Sequence, residues 1–104
     1  MIEWTTPTLP FRLRGAALMA PNVKVLLTFA QGGYLLNVEP RNMQATEDGI
    51  TGEVHFSQIQ SGGFHAGYAK AQANAIDSNG FRPASKIVTV HIGSNLLQEV
   101  MTYE

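Results

Sequence analysis

Gly67-Tyr68-Ala69-Lys70-Ala71-Gln72-Ala73-Asn74-Ala75-Ile76 is the stretch on which the fold turns. Alanine at 69, 71, 73 and 75 alternates with larger polar residues, a period of two that puts every alanine on one face of an extended chain. Alanine is also the best helix former. Coiling residues 66–76 into a helix is therefore the alternative, and it gives an α+β arrangement. Such a helix would scatter alanine, lysine, glutamine and asparagine around every side, whereas a strand separates them. The run also ends in the turn cluster Asp77-Ser78-Asn79-Gly80, as a strand bounded by turns does. The reading is a strand whose small side chains are pressed between two layers.

The neighbouring segments repeat this pattern. Residues 84–92 place Val88, Val90 and Ile92 on one face. Upstream, residues 50–57 direct Ile50, Val54 and Phe56 inward and Glu53 and His55 outward, with Gly52 at an inward position that suits a bulge or close backbone approach. Residues 23–30 align Val25, Leu27 and Phe29 against Leu26 on the other face. Gln31-Gly32-Gly33 turns the chain into residues 34–39, a hairpin partner that Pro40 stops. Residues 8–14 alternate Leu9, Phe11 and Leu13, and Pro7 and Pro10, which lack amide donors, put that strand at a sheet edge. Residues 15–22 are a connection, 43–46 a short strand, and 58–64 a short helical turn or compact corner anchored by Ile59 and Phe64.

The expected fold is all-β: a seven-stranded antiparallel immunoglobulin-like β-sandwich with a short C-terminal helix. Residues 1–93 form the sandwich and residues 94–104 an apolar helical tail that Ser94 or Asn95 caps. The core should hold Leu9, Phe11, Leu13, Val25, Leu27, Phe29, Val54, Phe56, Ala71, Ala73, Val88 and Val90, with Phe29 and Phe56 filling the space above the alanines. At 104 residues the chain has the length of one domain. It can bury roughly two-thirds of its unfolded surface.

Composition narrows the function. The chain has no cysteine, which removes disulfides, thiolate metal sites and cysteine nucleophiles. Seven basic and eight acidic residues give a net charge of −1 with no basic stripe, so no nucleic-acid partner is expected. Its apolar stretches fall short of a membrane span. The opening residues lack a basic and an apolar signal region, so the chain is expected to be cytoplasmic on synthesis, leaving only as part of a particle. Only 14% of residues are charged, against about 25% in ordinary soluble domains, a balance that suggests surface hidden in an assembly.

The candidate sites are few. His55, His65 and His91 are far apart in sequence and have no metal-ligand spacing; the expectation is surface histidines and no metal. Asp77-Ser78-Asn79-Gly80 starts like a calcium loop, but the position eleven residues on is Val88 rather than a carboxylate, so it is a hairpin turn. Serine, histidine and aspartate form no nucleophile elbow, and Glu39, Glu53 and Asp77 form no evident carboxylate pair. Gly32-Gly33 and Gly62-Gly63 are too short for phosphate loops. No catalytic residue and no cofactor is assigned. Trp4, Tyr34, Tyr68 and Phe81 are candidate rings for stacking on a carbohydrate, although the favoured reading is packing, with Trp4 against the sandwich and Tyr34 and Tyr68 over strand ends. Leu96, Leu97, Val100 and Met101 share helical spacing and are the candidate partner interface. Their helix either folds back over its own sandwich or docks on another chain.

An ordered set of residues resembles a known group. Thr5-Thr6-Pro7-Thr8-Leu9, the strand Val25 to Gln31 leading to Gly32-Gly33, and a last Ile-Val-Thr-Val-x-Ile-Gly strand running into Asn95-Leu96-Leu97 are similar to the small structural proteins carried in prophages and phage-like gene clusters of Gram-positive gut bacteria. The likeness spans nearly the whole chain. It implies an immunoglobulin-like sandwich with a structural or accessory virion role near the tail or baseplate. The expected partners are another copy of the chain or a second virion protein. Binding of a host-surface carbohydrate is the alternative.

Overall fold

The computed structural model describes residues 1–14 and 23–103, so the expected connection over 15–22 lies outside the described residues. Gly67–Ile76 is an extended strand, and its four alanines are all buried. In chain order the described elements are β1 (Thr8–Arg14), β2 (Lys24–Gln31), β3 (Tyr34–Val38), β4 (Arg41–Ala45), β5 (Gly49–His55), α1 (Gln58–Gly62), β6 (Gly67–Ile76) and β7 (Val88–Ile92). They build two antiparallel sheets, β1-β5-β4 and β3-β2-β6-β7. The proline-bearing β1 lies at an edge, where the amide missing at Pro10 costs no ladder bond.

The alanines fit because their neighbours in the same sheet are large. Val25, Leu27 and Phe29 of β2 pair with Ala75, Ala73 and Ala71, and Val88 and Val90 of β7 pair with Ala71 and Ala69. β6 is thus a furrow between two apolar ridges. Near α1 that furrow is roofed by rings in edge-to-face contact: Phe29 lies 5.1 Å from Phe56 and 6.4 Å from Phe64, which lies 5.0 Å from Tyr34. Gly52 meets its expected close approach, since a β-carbon there would stand 2.8 Å from the Phe11 ring.

Three expectations need correction. No helix forms over residues 94–103. Side chains have taken the backbone groups a helix would need: Leu97 N donates to Asn95 Oδ1 (3.1 Å), and the Gln58 amide both donates to Met101 O (2.9 Å) and accepts from Met101 N (2.7 Å). A segment this short has little intrinsic helicity to oppose them. The last strand begins at Val88 rather than at residue 84. There Ser85 Oγ accepts from Ala73 N (2.9 Å) while Ser85 N donates to Ala73 O (2.8 Å), so a side chain replaces one rung of the ladder. Val88 keeps its register with Ala71 but, on the end strand of its sheet, is 55% exposed instead of in the core. Ile59 is also exposed, because the one-turn α1 turns Ser61 inward instead. The core further takes in Val38, Ile50, Phe64, Ala69, Ala75 and Ile92.

Candidate functional site: the α1 pole and its tail

Three segments distant in sequence converge beside α1. Ser57 caps the helix through a capping box, its Oγ accepting from Gln60 N (3.1 Å) while Gln60 Oε1 accepts from Ser57 N (2.9 Å). The fully buried Ser61 donates from Oγ to Thr5 O (2.6 Å), tying the first residues to the helix. Those residues also lie along the end of β7: Ile2 forms a parallel bridge with Gly93, and Glu3 N donates to Gly93 O (3.1 Å).

Glu3 organises the third segment. Its side chain is buried, and Oε1 accepts from Asn95 N (3.1 Å) and Gln98 Nε2 (2.8 Å) while its backbone carbonyl accepts from Asn95 Nδ2 (3.1 Å). Together with the Gln58–Met101 pair, these contacts stretch the tail across the pole as an extended strap. Asn95 and Gln98 reach in to Glu3, while the large apolar side chains stay open to solvent. Leu96 and Tyr103 are fully exposed, Met101 is 64% exposed, and Leu97 and Val100 are nearly half exposed. The four residues expected at an interface do share one segment, but as a strap rather than as one face of a helix.

The four candidate rings do not come together. Trp4 adopts a left-handed backbone (φ 62°), which a bulky residue holds only under constraint, and its ring covers Gly62. Tyr34 covers Gly63 and donates its hydroxyl to Gln60 O (2.8 Å); burial pushes its phenol pKa up. Both are committed to packing. Tyr68 is 71% exposed on the outer face and meets the His91 ring edge-on at 5.4 Å. Phe81 sits beyond the far end of β6, on the order of 26 Å away along the strand.

Sequence reasoning missed one further group. On the outer face of β5, His55 Nε2 lies 3.0 Å from Glu53 Oε2, which also accepts from Asn42 Nδ2 (3.1 Å), and Thr8 Oγ1 is 3.5 Å from His55 Nδ1. The Asn42 hydrogen bond, then that of His55, holds the Glu53 carboxyl below its ordinary range. The readable signal was Glu-x-His on one strand face. The order hydroxyl, imidazole, carboxylate is that of a nucleophile relay. Here, however, His55 and Glu53 are 35% and 40% exposed on an open sheet face, where water competes for every contact. Among the described residues, no group of three or more metal-ligating side chains gathers, and no helix is long and apolar enough to cross a membrane. No protein-family model, curated protein or solved structure matches the chain.

Proposed function

We propose that this chain is a non-enzymatic structural module of a phage-like particle, with an immunoglobulin-like sandwich that assembles through its C-terminal strap. The observation that carries the reading is the strap itself: Leu96, Leu97, Val100 and Met101 are held out to solvent by a backbone that Glu3 and Gln58 fasten to the domain. A tail left loose would lose ordering entropy on docking, whereas a fastened one has already given it up. Fully burying each of those side chains against a partner is worth roughly 1.5–3 kcal/mol.

The immunoglobulin-like part rests on wiring. The chain crosses between sheets from β1 to β2, from β3 to β4 and from β5 to β6, the Greek-key route such sandwiches follow, and the Ile2–Gly93 bridge lies where a first strand would run beside the last. The particle role rests on the ordered residues around Thr5, Val25 and Ile87 that resemble prophage structural proteins. Portal, capsid and tail genes flanking its own would support it.

Sedimentation velocity on the full chain and on a variant with Leu96, Leu97, Val100 and Met101 all changed to serine tests the assembly. Asn95 and Gln98 stay in place, so the Glu3 contacts survive. The natural chain should associate and the variant should be monomeric. A natural chain that stays monomeric at millimolar concentration refutes the reading. The second reading, adhesion to a host-surface carbohydrate, keeps one ring in its favour, the exposed Tyr68 beside His91. Specific glycan-array binding that disappears in Tyr68→Ala would establish it.

A further inference from the structure

We infer that the furrow over the alanine stripe receives the tail of a second copy, joining copies head to tail. The inference rests on the assembly reading above and names its acceptor surface. Away from the aromatic roof, the furrow widens into an open groove of about 830 Å³, floored by Leu27, Ala71, Ala73 and Ala75 and walled by Phe11 and Leu13 of β1. Its origin lies in the sequence, because alanine after alanine leaves a channel that, among the described residues, β1 only partly covers. Among the described residues β1 is also the outermost strand of its sheet. An extended segment entering the groove therefore finds backbone partners as well as apolar floor.

Three features single out the tail as the occupant. The first is length. Ala71 to Ala75 extends about 13 Å and Leu96 to Met101 about 17 Å, at the usual rise of a strand. The second is charge. Arg12, Arg14 and Lys86 line the groove, with Asp48 bonded to the two arginines, whereas residues 94–104 contain Glu99 and Glu104 and no lysine or arginine. The third is position. Gln58 fixes Met101 at the pole where β6 begins, and the groove opens over the far half of β6. The tail is thus held at the opposite end of β6 from its own copy's groove, and the contact joins unlike surfaces. Such heterologous contacts build rings when the rotation closes and filaments when it does not.

Complementation tests this on the full chain by sedimentation velocity. Val100→Asp damages the tail and leaves the groove, while Ala73→Leu fills the groove and leaves the tail. Arg14→Glu combined with Lys86→Glu is a second groove variant, confined to exposed or rim positions in case the leucine perturbs folding. Each variant alone should associate at least tenfold more weakly than the natural chain. Mixing Val100→Asp with either groove variant should restore a complex that stops at one copy of each. If both groove variants associate as well as the natural chain while Val100→Asp does not, the tail docks elsewhere: the groove assignment falls and the assembly reading stands. Failure of the mixture to recover likewise overturns the groove assignment. A natural chain that is monomeric throughout removes both.

Discussion

Gly63→Ala should be among the most damaging single-methyl changes in this protein. A β-carbon at residue 63 would stand 2.6 Å from both Cε atoms of Tyr34, against the 3.4 Å at which ordinary contact begins, so the ring must move by about 0.8 Å or more. Moving it strains the bond from the Tyr34 hydroxyl to Gln60 O, worth about 1 kcal/mol, and the edge contact with Phe64, worth about 0.5–1.5 kcal/mol. With the overpacking itself, the loss is about 3 kcal/mol. For a domain of this size that lowers the melting temperature by about 10–20 °C. Thermal unfolding followed by circular dichroism reads it directly. Gly33→Ala is the control, since its β-carbon meets nothing within 4 Å. Combining Gly63→Ala with Tyr34→Ala should cost less than the two changes summed, because the second removes what the first collides with. A melting point for Gly63→Ala within about 2 °C of the natural chain, or strict additivity in the double variant, would refute the proposed ring seat.

Glu3→Ala strands the Asn95 amide and the Gln98 side chain at the pole and should lower stability by about 1–3 kcal/mol in urea unfolding, with Asn95 amide exchange faster than in the natural chain; unchanged exchange would count against it. Gln58→Ala should leave the melting point nearly unchanged while speeding hydrogen exchange at Met101, whose amide then has only water, and equal protection in both proteins would show that the strap is held by other contacts. Asn42→Gly preserves the left-handed backbone at φ 54° and removes only the hydrogen bond to Glu53. The Glu53 carboxyl, held low by Asn42 and then His55, should titrate at higher pH in that variant when followed by NMR. The corresponding stability is present above the unfolded carboxyl pKa and is lost as pH falls through the lower folded value, so the natural chain should keep the advantage at neutral pH and lose it in acid. An unmoved Glu53 midpoint would deny Asn42 that role.

Much of the fold was legible because strand parity is a local property. Alternation in 69–75 placed four alanines on the core side, Pro7 and Pro10 sent β1 to an edge, and Gly32-Gly33 marked the β2–β3 hairpin. Reading failed where a side chain displaced a backbone partner. Ser85 substitutes its hydroxyl for a rung of the ladder and delays the start of β7 to Val88, and the Gln58 amide captures the Met101 backbone and straightens the tail. Neither event leaves a trace in hydrophobic period. The pole was hidden for the same reason. Glu3 carries no neighbouring signal of burial, because its partners lie more than ninety positions away. Gly62-Gly63, too short for a phosphate loop, gave no sign that the pair serves as the bare surface on which Trp4 and Tyr34 rest.

The meeting of residues 1–5, 57–63 and 94–101 also has a kinetic consequence. Contacts spanning nearly the entire chain carry a large loop-closure cost if formed early, and a small one once the sheets have brought both ends together. That corner of the molecule should therefore knit last during folding and fray first at equilibrium. Partial opening would then free residues 94–103 while both sheets persist, presenting a ready arm on an otherwise native body.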